Sequence, residues 1–213
     1  MKTILVSAWL SLTLLAQAPK ALELVPAQKK GGMPLMEALA KRSTSRAFEA
    51  KELTPQQLSN LLWAAFGINR PDGKRTAPSS MNKLETDIYV LMKQGVYVYD
   101  AKQHRLDLAL AEDIRELGGK QPFVKEAPIT LVFVADLAKM NEAGKEEKLN
   151  TANIDAGFIS QNVYLYCASE GLATGVRAWV DREALGKRLK LRADQYITAA
   201  QSVGYPKAEA AGH

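Results

Sequence analysis

Apolar and polar positions alternate along this chain in two distinct rhythms, and the rhythm changes mark its elements. Leu35, Met36 and Leu39 share one face of a short helix over 34–42, and Pro34 suits its first turn. A polar break, Ser43 to Arg46, follows. Thr54 and Pro55 then provide an N-cap and a first helical residue for a second helix. Its stripe is Leu58, Leu61, Leu62, Ala65 and Phe66, and Gly67 ends it. Past a polar loop over 69–80, strands are predicted at 87–92, 96–99 and 105–110, with turns at Gln94-Gly95 and over 100–103. A short helix is expected over 112–117, broken by Gly118-Gly119. The nearly unbroken apolar run Ile129 to Ala135 reads as a central strand buried on both faces. A long helix is predicted over 149–170, stopped by Gly171. An extended piece over 176–180, a helix over 182–189 capped by Asp181, and a last strand over 196–203 complete the order. Helices, a strand meander, a strand, helices and a strand make an α+β fold rather than a regular βαβ alternation.

The first residues have a different character. Lys2 precedes the apolar block Ile4 to Ala16, and small residues follow at Ala16 and Ala18. That is the layout of a secretory signal peptide, assigned here to residues 1–21, with one domain over 22–213. The competing reading, a membrane anchor or buried helix, is disfavoured because a span needs roughly 20 apolar residues. The chain is therefore expected to be periplasmic or secreted, with no stable membrane span after cleavage.

Composition adds mainly exclusions. Of 213 residues, 47% are hydrophobic and 24% charged, as in an ordinary globular domain. Cys167 is the one cysteine and lies in an apolar helical stretch, so no intrachain disulfide is possible and a buried hydrophobe is expected there. Two scattered histidines, His104 and His213, give no zinc pattern and no favourable hydrolytic triad. The net charge of +5 is spread along the chain; it suits a small anionic ligand, and no motif supports a nucleic-acid partner. There is no G-x-G-x-x-G and no G-x-x-x-x-G-K-[ST].

Two segments carry candidate chemistry. Arg42-Ser43-Thr44-Ser45-Arg46 places two guanidinium forks and three hydroxyls just past a helix end, which are the groups a phosphate cradle needs. A solvated helix end would have the same composition. Ala77-Pro78-Ser79-Ser80-Met81-Asn82 offers a fixed turn with several donors and acceptors, and an ordinary polar turn fits it equally.

Their order decides more than either alone. Arg-Ser-Thr-Ser-Arg-Ala-Phe, then Leu-Thr-Pro-x-Gln-Leu, then Ala-Pro-Ser-Ser-x-Asn resembles the FMN-dependent nitroreductase family. So do the later segments Asp155-Ala156-Gly157 to Gln161-Asn162, Gly171-Leu172 and Val203-Gly204-Tyr205-Pro206. Gly95 to Asp100, His104 and Leu106 resemble more narrowly the branch that contains azoline-oxidising dehydrogenases. The resemblance implies a central mixed or antiparallel sheet surrounded by helices, and a homodimer with FMN at the subunit interface. It implies Arg42 and Thr44 at the FMN phosphate and ribityl end, with the Ser43 backbone beside them, and Arg46 at the pyrimidine edge. Pro78, Ser79, Ser80 and Asn82 would come from the partner subunit. Gln121 would lie near the pyrimidine ring, and Ala178 and Trp179 match the stretch that addresses flavin N5, although many relatives carry a glycine there. Relatives continue past the Gly-Tyr-Pro turn to basic residues on the phosphate; here Lys207 is the residue available for that role.

The implied activity is two-electron transfer through bound flavin to a quinone, a nitroaromatic or a small heterocycle. The alternative is a flavin or phospho-ligand binding protein on the same scaffold without turnover.

Overall fold

Ile129 to Ala135 lies at the middle of a computed structural model that describes residues 20–140 and 144–207. The strand, β5 (Ile129–Asp136), alternates between two cores: Leu131 and Phe133 point to one, Val132 and Val134 to the other, and all four are fully buried. A side chain so buried contributes about 1.5–3 kcal/mol. This is why the run shows no polar alternation.

The sheet has seven strands. They are β1 (Ala21–Glu23), β2 (Thr86–Met92), β3 (Gly95–Asp100), β4 (Arg105–Leu110), β5, β6 (Ala173–Arg177) and β7 (Gln195–Gly204), in the order β1-β4-β3-β2-β5-β7-β6. Every neighbouring pair is antiparallel, so the expected mixed or antiparallel sheet is wholly antiparallel. Helices α2 (Pro55–Phe66) and α3 (Lys145–Glu170) cover one face, burying Leu61, Leu62, Ile159 and Val163. Helix α4 (Arg182–Arg188) covers the other with Ile114 and Val180. Helix α1 (Leu35–Lys41) packs near α3.

Local signals set several boundaries. The Thr54 hydroxyl accepts from the Gln57 N–H while the Gln57 side chain accepts from the Thr54 N–H, a capping box that starts α2. Gly171, at φ +67°, ends α3, and Cys167 on that helix is buried. Helix α3 begins four residues before the expected Leu149.

Other expectations need correction. The extended piece expected over 176–180 is displaced: strand β6 spans 173–177, because its pairing with β7 and not its composition sets its ends. The helix expected over 112–117 is a single 3-10 turn at Arg115–Gly118. Strand β1 has no sequence signal; three residues pair with β4, and the Leu108 N–H donates to the Lys20 carbonyl. Ala21, the last residue assigned to the leader, thus lies in the sheet, whereas residues 1–19 of that segment fall outside the described residues. Among the described residues no helix is long and apolar enough to cross a membrane.

Candidate functional site

The Arg42–Arg46 segment is laid along the free edge of β6. The Ser45 N–H donates to the Thr174 carbonyl at 2.9 Å. Gly175 permits this approach, since a Cβ there would stand 2.7 Å from the Ser45 carbonyl oxygen. Tyr164 on α3 closes the joint. Its hydroxyl pairs with Thr44 Oγ1 at 2.9 Å and accepts from the Val176 N–H at 3.1 Å. Either hydroxyl can donate in the Tyr164–Thr44 bond, because the Tyr164 oxygen can accept from Val176 and from Thr44 at once. The Arg42 guanidinium lies 5.4 Å from the Tyr164 ring centre.

The segment therefore presents charge without neutralising it. Among the described residues neither Arg42 nor Arg46 forms an ion pair, and both are exposed. Ser45 bonds Ala47 through both its hydroxyl and the Ala47 N–H, and the Thr44 hydroxyl is held by Tyr164, while Ser43 and Thr44 are both exposed residues.

Gln121, Ala178 and Trp179 join the same edge. Ala178 and Trp179 follow β6 directly and are exposed; the Trp179 carbonyl accepts from the Lys120 N–H. Gln121 is next in the chain, and its side-chain Oε1 is buried with no hydrogen-bond partner. An unpartnered buried acceptor is costly unless a donor arrives.

The remaining candidates lie apart. Lys207 sits at the opposite end of the segment, where its N–H donates to the Ala47 carbonyl and Pro206 bridges Phe48. Pro78 to Asn82 belongs to a different region of α3: the Ser80 N–H donates to the Asp155 carboxylate at 2.8 Å. Asp155 and Tyr164 are nine residues apart on one helix, about 13 Å along its axis. The loop is conformationally strained, with Met81, Asn82 and Leu84 all at φ near +50°. Its Ser79 hydroxyl accepts from the Leu84 N–H. Buried Glu85 follows directly, and burial, with the nearby Asp155 carboxyl, raises its pKa.

Large apolar side chains are exposed around these pieces. Leu35 and Met36 on α1 are 61% and 76% exposed, and Leu39, Ile154, Phe158, Met81 and Trp179 are also open. The apolar face of α1 is thus not part of the protomer's core. Periodicity identifies such a face without saying what covers it.

Tyr164 and Arg177 were not singled out by sequence. Tyr164 had only the signal of an aromatic in an apolar helical stretch. Arg177 is 8% exposed, and its Nε donates to the Gly118 carbonyl at 2.8 Å.

His104 belongs to a separate network. Ser59 donates to the Val25 carbonyl, so it accepts from His104 Nε2–H, while Tyr99 OH donates to His104 Nδ1 at 3.0 Å. This chain of bonds ties the N-terminal segment to α2 and the β3–β4 hairpin. The serine proton is already committed to a carbonyl, and no carboxylate orients the ring, so this is not a hydrolytic triad.

Residues 39–205 match the model of the nitroreductase family, and the chain belongs to that family. It is 38% identical to a crystal structure of a provisionally named nitroreductase from Ralstonia eutropha, with a TM-score of 0.86, covering 90% of this chain and 92% of that one. A provisionally named nitroreductase of Methanocaldococcus jannaschii is 32% identical over 160 residues, 70% of this chain and 81% of the relative. A nitroreductase family protein of Clostridium novyi shares the fold at 19% identity, with a TM-score of 0.61 over 83% of this chain and 87% of that one. The protein is accordingly an oxidoreductase of nitroreductase type.

Proposed function

Taking membership of that family as the premise, we propose that the chain is an exported FMN-dependent oxidoreductase acting as a homodimer. The observation that carries this reading is the Arg42–Arg46 segment: two cations without carboxylate partners and the exposed residues Ser43 and Thr44, pinned to the β6 edge, with an unpartnered buried acceptor at Gln121, directly after Lys120. That donor set fits the groups of FMN. Arg42, Thr44 and the Ser43 backbone would hold the phosphate and ribityl end. Arg46 would stand at the pyrimidine edge, where Gln121 Oε1 would receive the ring N–H donor. Ala178 and Trp179 would border the reactive side of the ring.

Bound flavin supplies two-electron chemistry, which the residues of this chain position and tune rather than perform. The dimer completes the site by contributing Pro78, Ser79, Ser80 and Asn82 of the partner subunit. The apolar side chains on α1 and α3 left open in the protomer support a second copy seated there. Lys207, at the far end of the segment, has at most a minor electrostatic part.

The signal-like composition of residues 1–21 supports export to the periplasm or outside the cell. Reduced nicotinamide is scarce there, so another donor is expected. Acceptors would be quinones, nitroaromatics or a small heterocycle. The similarity to azoline-oxidising dehydrogenases runs through Tyr99 and His104, which here anchor the hairpin, so it bears on the scaffold more than on the substrate. Protein purified from the periplasm should be yellow, and its reduced form should be reoxidised by a quinone faster than free flavin. A colourless protein that also fails to bind added FMN would sink the proposal. Bound flavin reoxidised no faster than free flavin would leave a flavin carrier instead.

A further inference from the structure

Arg177 is a buried cation with no acid. Its guanidinium donates to the Gly118 carbonyl at 2.8 Å, the Ser202 hydroxyl at 3.0 Å and the Gly175 carbonyl at 3.3 Å, and it lies 5.8 Å from the Phe123 ring centre. All of these partners are neutral. Several arginines lean on carboxylates, Arg115 on Asp113, Arg188 on Glu112 and Arg192 on Asp136, whereas Arg75 and Arg182 donate to backbone carbonyls and are less buried than Arg177. Burial alone pulls the Arg177 pKa down to about 10, which still leaves it charged at neutral pH. A buried charge without a counter-charge is expensive, and an apolar side chain could fill the same space.

Its surroundings point to what repays that cost. A Cβ on Gly119 would stand 2.3 Å from Arg177 Nε and 3.0 Å from Gln121 Oε1, so the cation and the unpartnered acceptor press on the same glycine. Gly118 is also tight, with a Cβ there 2.7 Å from the Thr130 methyl carbon. Arg177 thus fixes the Gly118-Gly119 turn from which Gln121 projects, and it immediately precedes Ala178 and Trp179. The whole group lies where the proposed function seats the pyrimidine edge of the flavin. That edge gains negative charge on reduction.

We infer that Arg177 is a positioning residue whose buried positive charge favours reduced over oxidised FMN at this site. The inference rests on the flavin reading above. The counter-charge that the fold does not supply arrives with the electrons, and the guanidinium acts through the turn and Gln121 without needing to touch the ring. At the effective dielectric of a protein interior, a unit charge near that edge favours the reduced form by about tenfold.

The test is an anaerobic titration of the full-length protein with oxidised and with chemically reduced FMN. Arg177→Met should bind oxidised FMN within about threefold of wild type and lose about tenfold in preference for the reduced form. That loss equals a two-electron potential about 30 mV more negative. Arg177→Lys keeps the charge and should retain the preference. Ser202→Asp leaves the arginine in place, sets a carboxylate against its guanidinium from a residue outside the proposed flavin contacts, and should lose the preference as the methionine variant does. If Arg177→Met does not fold, Ser202→Asp and Arg177→Lys decide. An unchanged preference in Ser202→Asp, or a lysine variant that behaves like methionine, overturns the inference and leaves Arg177 a pin of the fold. Wild-type protein that binds neither form of FMN removes the flavin reading itself, a result distinct from binding both forms with no effect of charge.

Discussion

Tyr164→Phe isolates the joint on which the candidate site depends. The substitution keeps the ring, so it opens no cavity and preserves the surface on which Arg42 lies. It removes the hydroxyl that pairs with Thr44 Oγ1 at 2.9 Å and accepts from the Val176 N–H at 3.1 Å. Each such bond is worth about 0.5–1.5 kcal/mol net. Val176 and Thr44 are exposed enough for water to replace part of what is lost. The expected destabilisation is therefore about 1–1.5 kcal/mol. For a domain of this size that lowers the melting temperature by roughly 2–6 °C. Thr44 also loses its anchor, so FMN affinity should fall by roughly five- to tenfold, about 1 kcal/mol or slightly more. Tyr166→Phe is the control. It removes one comparable bond, from the Tyr166 hydroxyl to the Gln57 carbonyl at 3.1 Å, on the α2 side of the same helix. Thermal unfolding and FMN titration of both variants separate the two effects. Both should melt earlier, and Tyr164→Phe alone should bind FMN more weakly. Equal FMN affinities in the two variants would refute the assignment of Tyr164 to the site.

Two further outcomes follow from the geometry. Arg42→Ala should weaken FMN binding by thirtyfold or more, since breaking a desolvated charge pair costs about 2–5 kcal/mol. Lys207→Ala, at the opposite end of the segment, should cost less than about fivefold, in the range of about 0–1 kcal/mol for exposed pairs; equal losses in the same titration would contradict the placement. The His104 pKa is lowered, chiefly by burial, so the folded state favours the neutral ring. Its contribution to stability is present above the unfolded value of about 6.5 and is lost as pH falls through the lower folded value. The urea midpoint should drop on acidification from pH 7.5 toward 5, and His104→Gln should flatten that part of the profile; an unaltered slope in the variant would exclude His104 as its source.

Much of the fold was legible locally. The Thr54-Pro55-Gln57 cap, the stripe of α2, the apolar run of β5 and the glycine stop of α3 each depend on neighbours within a few residues, and each stands where the pattern put it. The ordered motifs also pointed to the family before any geometry was available. The site was legible only in part. Arg42, Thr44, Gln121, Ala178 and Trp179 converge on one edge, Lys207 stands beside Ala47 at the Arg46 end of the segment, and the Pro78–Asn82 loop lies elsewhere in the protomer.

The sequence by itself determined the rhythm of the helices, the buried central strand and the charged, hydroxyl-rich segment, because these are properties of short stretches of chain. Only the tertiary structure decided that β6 begins at Ala173, that three residues at Ala21 join the sheet, and that the apolar face of α1 stays open. It also decided that Tyr164 clamps Thr44 across 120 residues of chain and that Arg177 is buried without an acid. The physical reason is common to all of these. A strand's ends, a buried hydroxyl's partners and a cation's missing counter-charge depend on groups far away in sequence, and no local pattern specifies which distant groups will meet.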